Sequence, residues 1–121
     1  MEKILMFNLN PSAESAVKRA ALLMKMRVQP VEANQYGSTL ENIINKSGDS
    51  DYDGEIPKES MIVLCGITGR RMNELLTSLQ RSKAEITYKA VLTQNNYNWT
   101  ALKMFSEMEN EKKAIESTLN K

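Results

Sequence analysis

Two uninterrupted apolar runs, Ile4–Phe7 and Met61–Cys65, constrain this chain most. Each is too short for an ordinary helix and has no polar position to turn toward water, so each reads as a strand covered on both faces. Strands of that kind sit inside a sheet rather than at its rim.

The same plan repeats after each run. The first strand, Lys3–Phe7, is succeeded by Asn10, suited to an N-cap, and by Pro11 at the first helical position. From Ser12 to Arg27 the apolar residues Ala13, Ala16, Val17, Ala20, Leu23 and Met24 recur at helical spacing, while Glu14, Lys18, Arg19 and Lys25 face water. After Cys65, Gly66 and Gly69 bracket a turn and Thr68 is placed to cap a second helix, whose stripe is Met72, Leu75, Leu76 and Leu79. Each helix leads into a more mixed strand, Val28–Ala33 and Ile86–Leu92. Pro30 cannot donate to a ladder, which puts the first of these at a sheet edge.

Between the halves runs a long connection. It holds a short helix over Thr39–Lys46, capped by Ser38 or Thr39, and an acidic loop over Ser47–Lys58 closed by Pro57. Thr93–Asn98 is a polar turn. Trp99 opens a last helix through Leu102, Phe105 and Met108, and residues 109–121 read as a solvated helical extension or frayed tail.

The layout predicts an α/β (α+β) chain built as a ferredoxin-like βαβ-βαβ sandwich with an extra C-terminal helix, the first strand of each half central and the second at an edge. The alternative is a small parallel doubly wound sheet that uses Thr39–Lys46 as a crossover. At 121 residues a single domain over 1–121 is expected. No apolar run approaches the roughly 18 residues that span a bilayer, and Met1–Asn10 lacks the apolar core of a signal peptide. One cysteine cannot form an internal disulfide, so a cytoplasmic location is expected.

The 16 basic and 15 acidic side chains nearly cancel, which predicts no general attraction to nucleic acid or to an anionic membrane. The expected partner is a small molecule or a protein, a second copy included. Residues 37–59 nevertheless carry two basic and six acidic groups. The chain has no histidine, which removes imidazole bases, Cys–His pairs and His-ligated zinc.

Four constellations remain. Asp49, Asp51 and Asp53 followed by Gly54 open like a calcium loop, with oxygen ligands at alternate positions before a glycine turn. The closing bidentate glutamate should fall at Ser60, so a solvated acidic loop competes with calcium. Gly66, Thr68, Gly69, Arg70 and Arg71 combine a strand-to-helix turn with positive charge, as an anion site would, or simply form a capped turn. Cys65 precedes that turn, but a buried inert thiol is the commoner role for a cysteine of this kind. Lys89, Thr93, Asn96 and Trp99 gather polar and aromatic groups at a strand-to-helix junction, either as a ligand pocket or as a turn and cap.

The run Lys89-Ala90-Val91-Leu92-Thr93, then Asn96, then Trp99-Thr100, resembles the most characteristic block of an uncharacterised bacterial family, a domain of unknown function. Leu64-Cys65-Gly66-Ile67, Ile4–Phe7 and the acidic stretch resemble other parts of it. That resemblance implies no activity. The expected function is therefore a ligand-binding or regulatory module without catalytic residues. The alternatives are an enzyme using Cys65 or Lys89 on an anionic substrate, and a protein-interaction module.

Overall fold

A computed structural model describes residues 2–48 and 51–119. The chain divides into two compact units, Met1–Glu32 with Lys58–Leu92, and Ala33–Pro57 with Thr93–Lys121. The first holds a four-stranded sheet and two helices. Among the described residues, the second holds two α-helices and a short 3-10 turn, Ala33–Gln35.

In the first unit, β1 (Lys3–Phe7) leads through α1 (Pro11–Met24) to β2 (Arg27–Val31), and β3 (Met61–Cys65) leads through α3 (Gly69–Arg81) to β4 (Tyr88–Val91). The sheet order is β2-β1-β3-β4, with β1 parallel to β2, β3 parallel to β4, and β1 antiparallel to β3. Both continuously apolar strands are thus central and both mixed strands lie at edges, Pro30 among them. The ferredoxin-like arrangement is corrected in one respect. That layout splits each βαβ unit by a strand of the other half, whereas here each unit closes on an adjacent parallel strand. The antiparallel β1–β3 pair also excludes the wholly parallel doubly wound sheet.

Local chemistry explains the boundaries. Asn10 caps α1, its Oδ1 accepting from the Ala13 N–H at 2.8 Å, and Pro11 occupies the first turn, where its missing N–H costs nothing. Lys25 takes a left-handed conformation (φ 59°) and ends the helix, so α1 stops three residues short of the expected Arg27. The side chain of Asn8 donates from Nδ2 to the carbonyls of Lys58 and Glu59, both at 3.1 Å, and ties the end of β1 to the approach to β3.

One sheet face, Ile4, Met6, Ile62 and Leu64, packs with Ala13, Ala16, Val17, Ala20 and Ala21 of α1 and with Leu75 and Leu79 of α3. Each fully buried leucine contributes about 1.5–3 kcal/mol. The alanines let α1 lie close to the strands. On the other face Leu5, Phe7, Met61, Val63 and Cys65 are buried as well. Leu23, expected in the α1 stripe, is instead exposed; at about 100° per residue the buried arc runs through Ala21 and turns Leu23 outward.

In the second unit, α2 (Leu40–Asn45) and α4 (Ala101–Leu119) are joined at their starts. Thr39 and Thr100 form an antiparallel bridge, with Leu40 donating to the Trp99 carbonyl and Ala101 to that of Ser38. Tyr36, Leu40, Ile43, Ala101, Met104 and Phe105 are buried. The Tyr36 and Phe105 rings stack with centroids 5.8 Å apart. Beyond Met108 the helix continues without a break, and the side chains of residues 109–116 are exposed.

Candidate functional site

The asparagine-rich junction forms a closed turn. Asn96 Oδ1 accepts from the Thr93 N–H at 2.8 Å, and Thr93 Oγ1 accepts from the Asn96 N–H at 3.3 Å. This reciprocal pairing is the logic of a capping box, with each side chain serving the other's backbone donor. Asn96 is buried, and its carbonyl accepts from the Trp99 N–H at 3.0 Å. Trp99 is half-buried, with Lys103 Nζ 5.2 Å from its ring centroid, a cation–π contact. Thr100 then caps α4, its Oγ1 accepting from the Lys103 N–H at 3.1 Å. Lys89 is exposed on β4 in the first unit, whereas Thr93, Asn96 and Trp99 belong to the second.

The glycine turn has a different character. Gly66 and Gly69 both take positive φ, 70° and 59°, which explains glycine at each place. Thr68 precedes α3 with extended backbone but makes no side-chain cap. Arg71 is held by Glu2 in a two-pronged ion pair, Nε and Nη2 each 2.6 Å from a carboxylate oxygen, and Nη2 also donates to the Met24 carbonyl at 2.6 Å. The Arg71 guanidinium holds the Glu2 carboxyl below its usual range. Arg71 thus acts as a tether between α3, the N-terminal segment and the end of α1. Arg70 stays exposed and lines a shallow groove along α3 with Asn73, Glu74, Thr77 and Arg81. Because β3 and β4 are parallel, Gly66 and Leu92 leave the sheet at the same end.

Cys65 is buried, its Sγ 3.7 Å from the Val63 carbonyl. Burial pushes the thiol up to about 11, despite the opposing charge of Lys3. A thiolate nucleophile needs the opposite environment.

The acidic loop contains a feature that strand and helix patterns miss. Asn34, Gly37, Ser38, Thr39, Asn42, Asp51, Tyr52 and Asp53 line a groove of about 420 Å³ within the second unit. Tyr52 anchors it: its N–H donates to the Asn34 carbonyl at 3.0 Å and its hydroxyl to the Glu55 carbonyl at 2.6 Å. The Tyr52 side chain passes over Gly37 and Gly54, where a Cβ would come within 3.2 Å of ring Cδ1 and 2.5 Å of the hydroxyl oxygen. Gly54, read in the sequence as the turn of a calcium loop, is here the seat of a tyrosine. Asp51 and Asp53 are exposed on the groove's rim, while Asp49 lies outside the described residues. Among the described residues no three His, Cys, Asp or Glu side chains gather as a metal-binding group. A tyrosine followed by small and acidic residues was the available signal, although only the fold brings Asn34 and Ser38 to it.

Residues 60–115 match a family described as a domain of unknown function (DUF3783). The match spans β3, α3, β4, the Thr93–Asn96 turn and most of α4, in accord with the resemblance seen in the sequence. No curated protein and no solved structure matches the chain significantly.

Proposed function

We propose that this chain is a small ligand-binding or regulatory module without catalysis of its own, and that its ligand enters the groove beside Tyr52. The observation that carries this reading is the groove's lining. Amides from Asn34 and Asn42, hydroxyls from Ser38, Thr39 and Tyr52, and the carboxylates of Asp51 and Asp53 surround it, with no basic side chain among them. Such a lining favours a hydroxylated or amine-bearing small molecule over an anion, because hydrogen-bonding groups and negative charge then find complementary partners. A divalent cation such as calcium is a second occupant with the same charge preference.

The non-catalytic character rests on what the chain offers chemically. It has no histidine, and its one thiol is buried with a raised pKa. A single sheltered thiol also suits a reducing cytoplasm, and the resemblance of the Lys89–Thr100 block suits a bacterial source.

A thermal-shift screen tests this reading. Polyols, amino sugars, amines, nucleosides and calcium are added to the wild type and to an Asn34→Ala/Asp53→Asn variant. A ligand at 100 times its Kd adds about 2.7 kcal/mol, a melting shift of several degrees. The expected result is stabilisation of the wild type by a member of the amine or hydroxyl class, lost in the double variant. Stabilisation that survives the double variant would place the ligand elsewhere, and a panel without any effect would remove the binding reading.

A further inference from the structure

The outer face of α1 ends in two leucines that the core does not use. Leu22 and Leu23 are 80% and 83% exposed, more than any other large apolar side chain among the described residues. Ala13, Ala16, Val17, Ala20 and Ala21 carry the buried side of this helix, and Leu22 points directly away from them. Around the pair, residues 18–26 contain Lys18, Arg19 and Lys25 and no acidic residue. Lys18 pairs with Glu14 one turn earlier at 3.4 Å. Arg19 and Lys25 are exposed and, among the described residues, belong to no ion pair. Arg71 reaches this end of α1 through the Met24 carbonyl, but its charge is matched by Glu2.

We propose that this end of α1 is a reversible attachment surface for an anionic phospholipid membrane. Leu22 and Leu23 enter the boundary between headgroups and acyl chains, and Arg19 and Lys25 meet the phosphates. Apolar side chains projecting from a cationic rim are the chemistry of interfacial helices, and each surplus cation adds attraction to an anionic leaflet. Near-neutrality of the whole chain does not oppose this, because screening confines the attraction to charges within about 8 Å of the surface.

Size and shape favour lipid over a protein partner. A stable protein interface buries about 800 Å² on each side around an apolar centre. Here two side chains stand at the end of a helix face whose other members, Ser12, Ser15, Lys18 and Arg19, are polar and exposed. Two leucines fall short of such a centre, and they project instead of lining a groove. A fluid surface accepts them without a pre-formed pocket. No helix of the described residues is long and apolar enough to cross a membrane, so the contact is peripheral.

The experiment is co-sedimentation of the full chain with phosphatidylcholine vesicles, with and without added phosphatidylglycerol. The anionic vesicles are expected to retain roughly tenfold more protein or better, and the gain is expected to fall in high salt. Leu22→Ser/Leu23→Ser and Arg19→Gln/Lys25→Gln should each abolish most of that gain. Unchanged far-UV circular dichroism and melting temperature would show that both variants are folded. Equal sedimentation with both vesicle types, or a leucine variant that binds like the wild type, would overturn the proposal. So would a wild type that ignores vesicles but forms a dimer that the leucine variant dissociates, since the patch would then join two copies of the chain.

Discussion

Thr39 and Thr100 lie opposite each other as an antiparallel bridge, and each also caps the helix that begins at the next residue. Thr39 Oγ1 accepts from the Asn42 N–H and Thr100 Oγ1 from the Lys103 N–H, both at 3.1 Å. Two helix starts are thereby fixed by one pair of residues. Replacing either by alanine should cost about 0.5–2 kcal/mol, since a first-turn donor loses its partner, and serine should restore most of the loss. The backbone bridge survives in each variant. Because the two sites touch, the double alanine variant should depart from the sum of the singles. Urea unfolding of the three variants measures this. Purely additive costs would mean that the bridge does not couple the caps.

Thr93 and Asn96 make the same point on a turn. Asn96→Ala leaves the Thr93 N–H without its 2.8 Å acceptor and should destabilise the chain by about 1–2 kcal/mol. Thr93→Ser keeps the reciprocal hydroxyl and should stay within about 0.5 kcal/mol of the wild type. If the pair instead serves a ligand alone, Asn96→Ala would leave stability in the absence of ligand unchanged. Equilibrium denaturation decides between these outcomes.

The sheet's interior was legible in the sequence because Ile4–Phe7 and Met61–Cys65 offer water nothing, and Pro30 marked an edge for the converse reason. Which edge strand lies beside which central strand was not legible. A βαβ unit closing on its neighbour and one split by a foreign strand give each residue the same pattern of burial. Leu23 misled because spacing from Ala20 fits the stripe, although the packed arc turns toward Ala21. At the candidate sites, local chemistry offered a turn at Thr93–Asn96 beside a ligand pocket and explained the glycines at 66 and 69, but α4 starts at Ala101 behind a Thr100 cap and not at Trp99. The Arg71–Glu2 tether joins residues 69 positions apart, and the Tyr52 groove joins Asn34 and Ser38 to Asp53. Such long-range pairings leave no periodic trace.

Cys65 gives a pH signature. Its thiol is pushed from an ordinary value of 9.0 up to about 11 by burial, so the folded state holds its proton more tightly than the unfolded state. A group raised in this way contributes stability that is complete below pH 9, declines as the unfolded thiol ionises, and is gone above pH 11. Lysines and tyrosines titrate in the same range, so the informative quantity is the difference between the wild type and Cys65→Val. The wild type should lose about 2–3 kcal/mol more than the variant across that window. Thiol reagents should also modify Cys65 slowly at pH 8 unless denaturant is present. Rapid labelling of the native protein would contradict the buried, protonated thiol.

Two glycines separate strain from crowding. Gly69 has φ +59° and nothing within 4 Å of where a Cβ would stand, so Gly69→Ala should cost about 1 kcal/mol through backbone strain alone. Asparagine tolerates that region better and should recover part of the cost. At Gly54 the obstacle is the ring: a Cβ would lie 2.5 Å from the Tyr52 hydroxyl oxygen and 2.7 Å from Cζ. Gly54→Ala must therefore move Tyr52 and weaken its 2.6 Å bond to the Glu55 carbonyl. Truncating the ring removes the obstacle, so Gly54→Ala should be costly in the wild type and nearly silent in a Tyr52→Ala background. No truncation of a neighbour should rescue Gly69→Ala. A double-mutant cycle by chemical denaturation at each glycine measures both, and equal costs for Gly54→Ala with and without the ring would show that Tyr52 does not rest on that glycine.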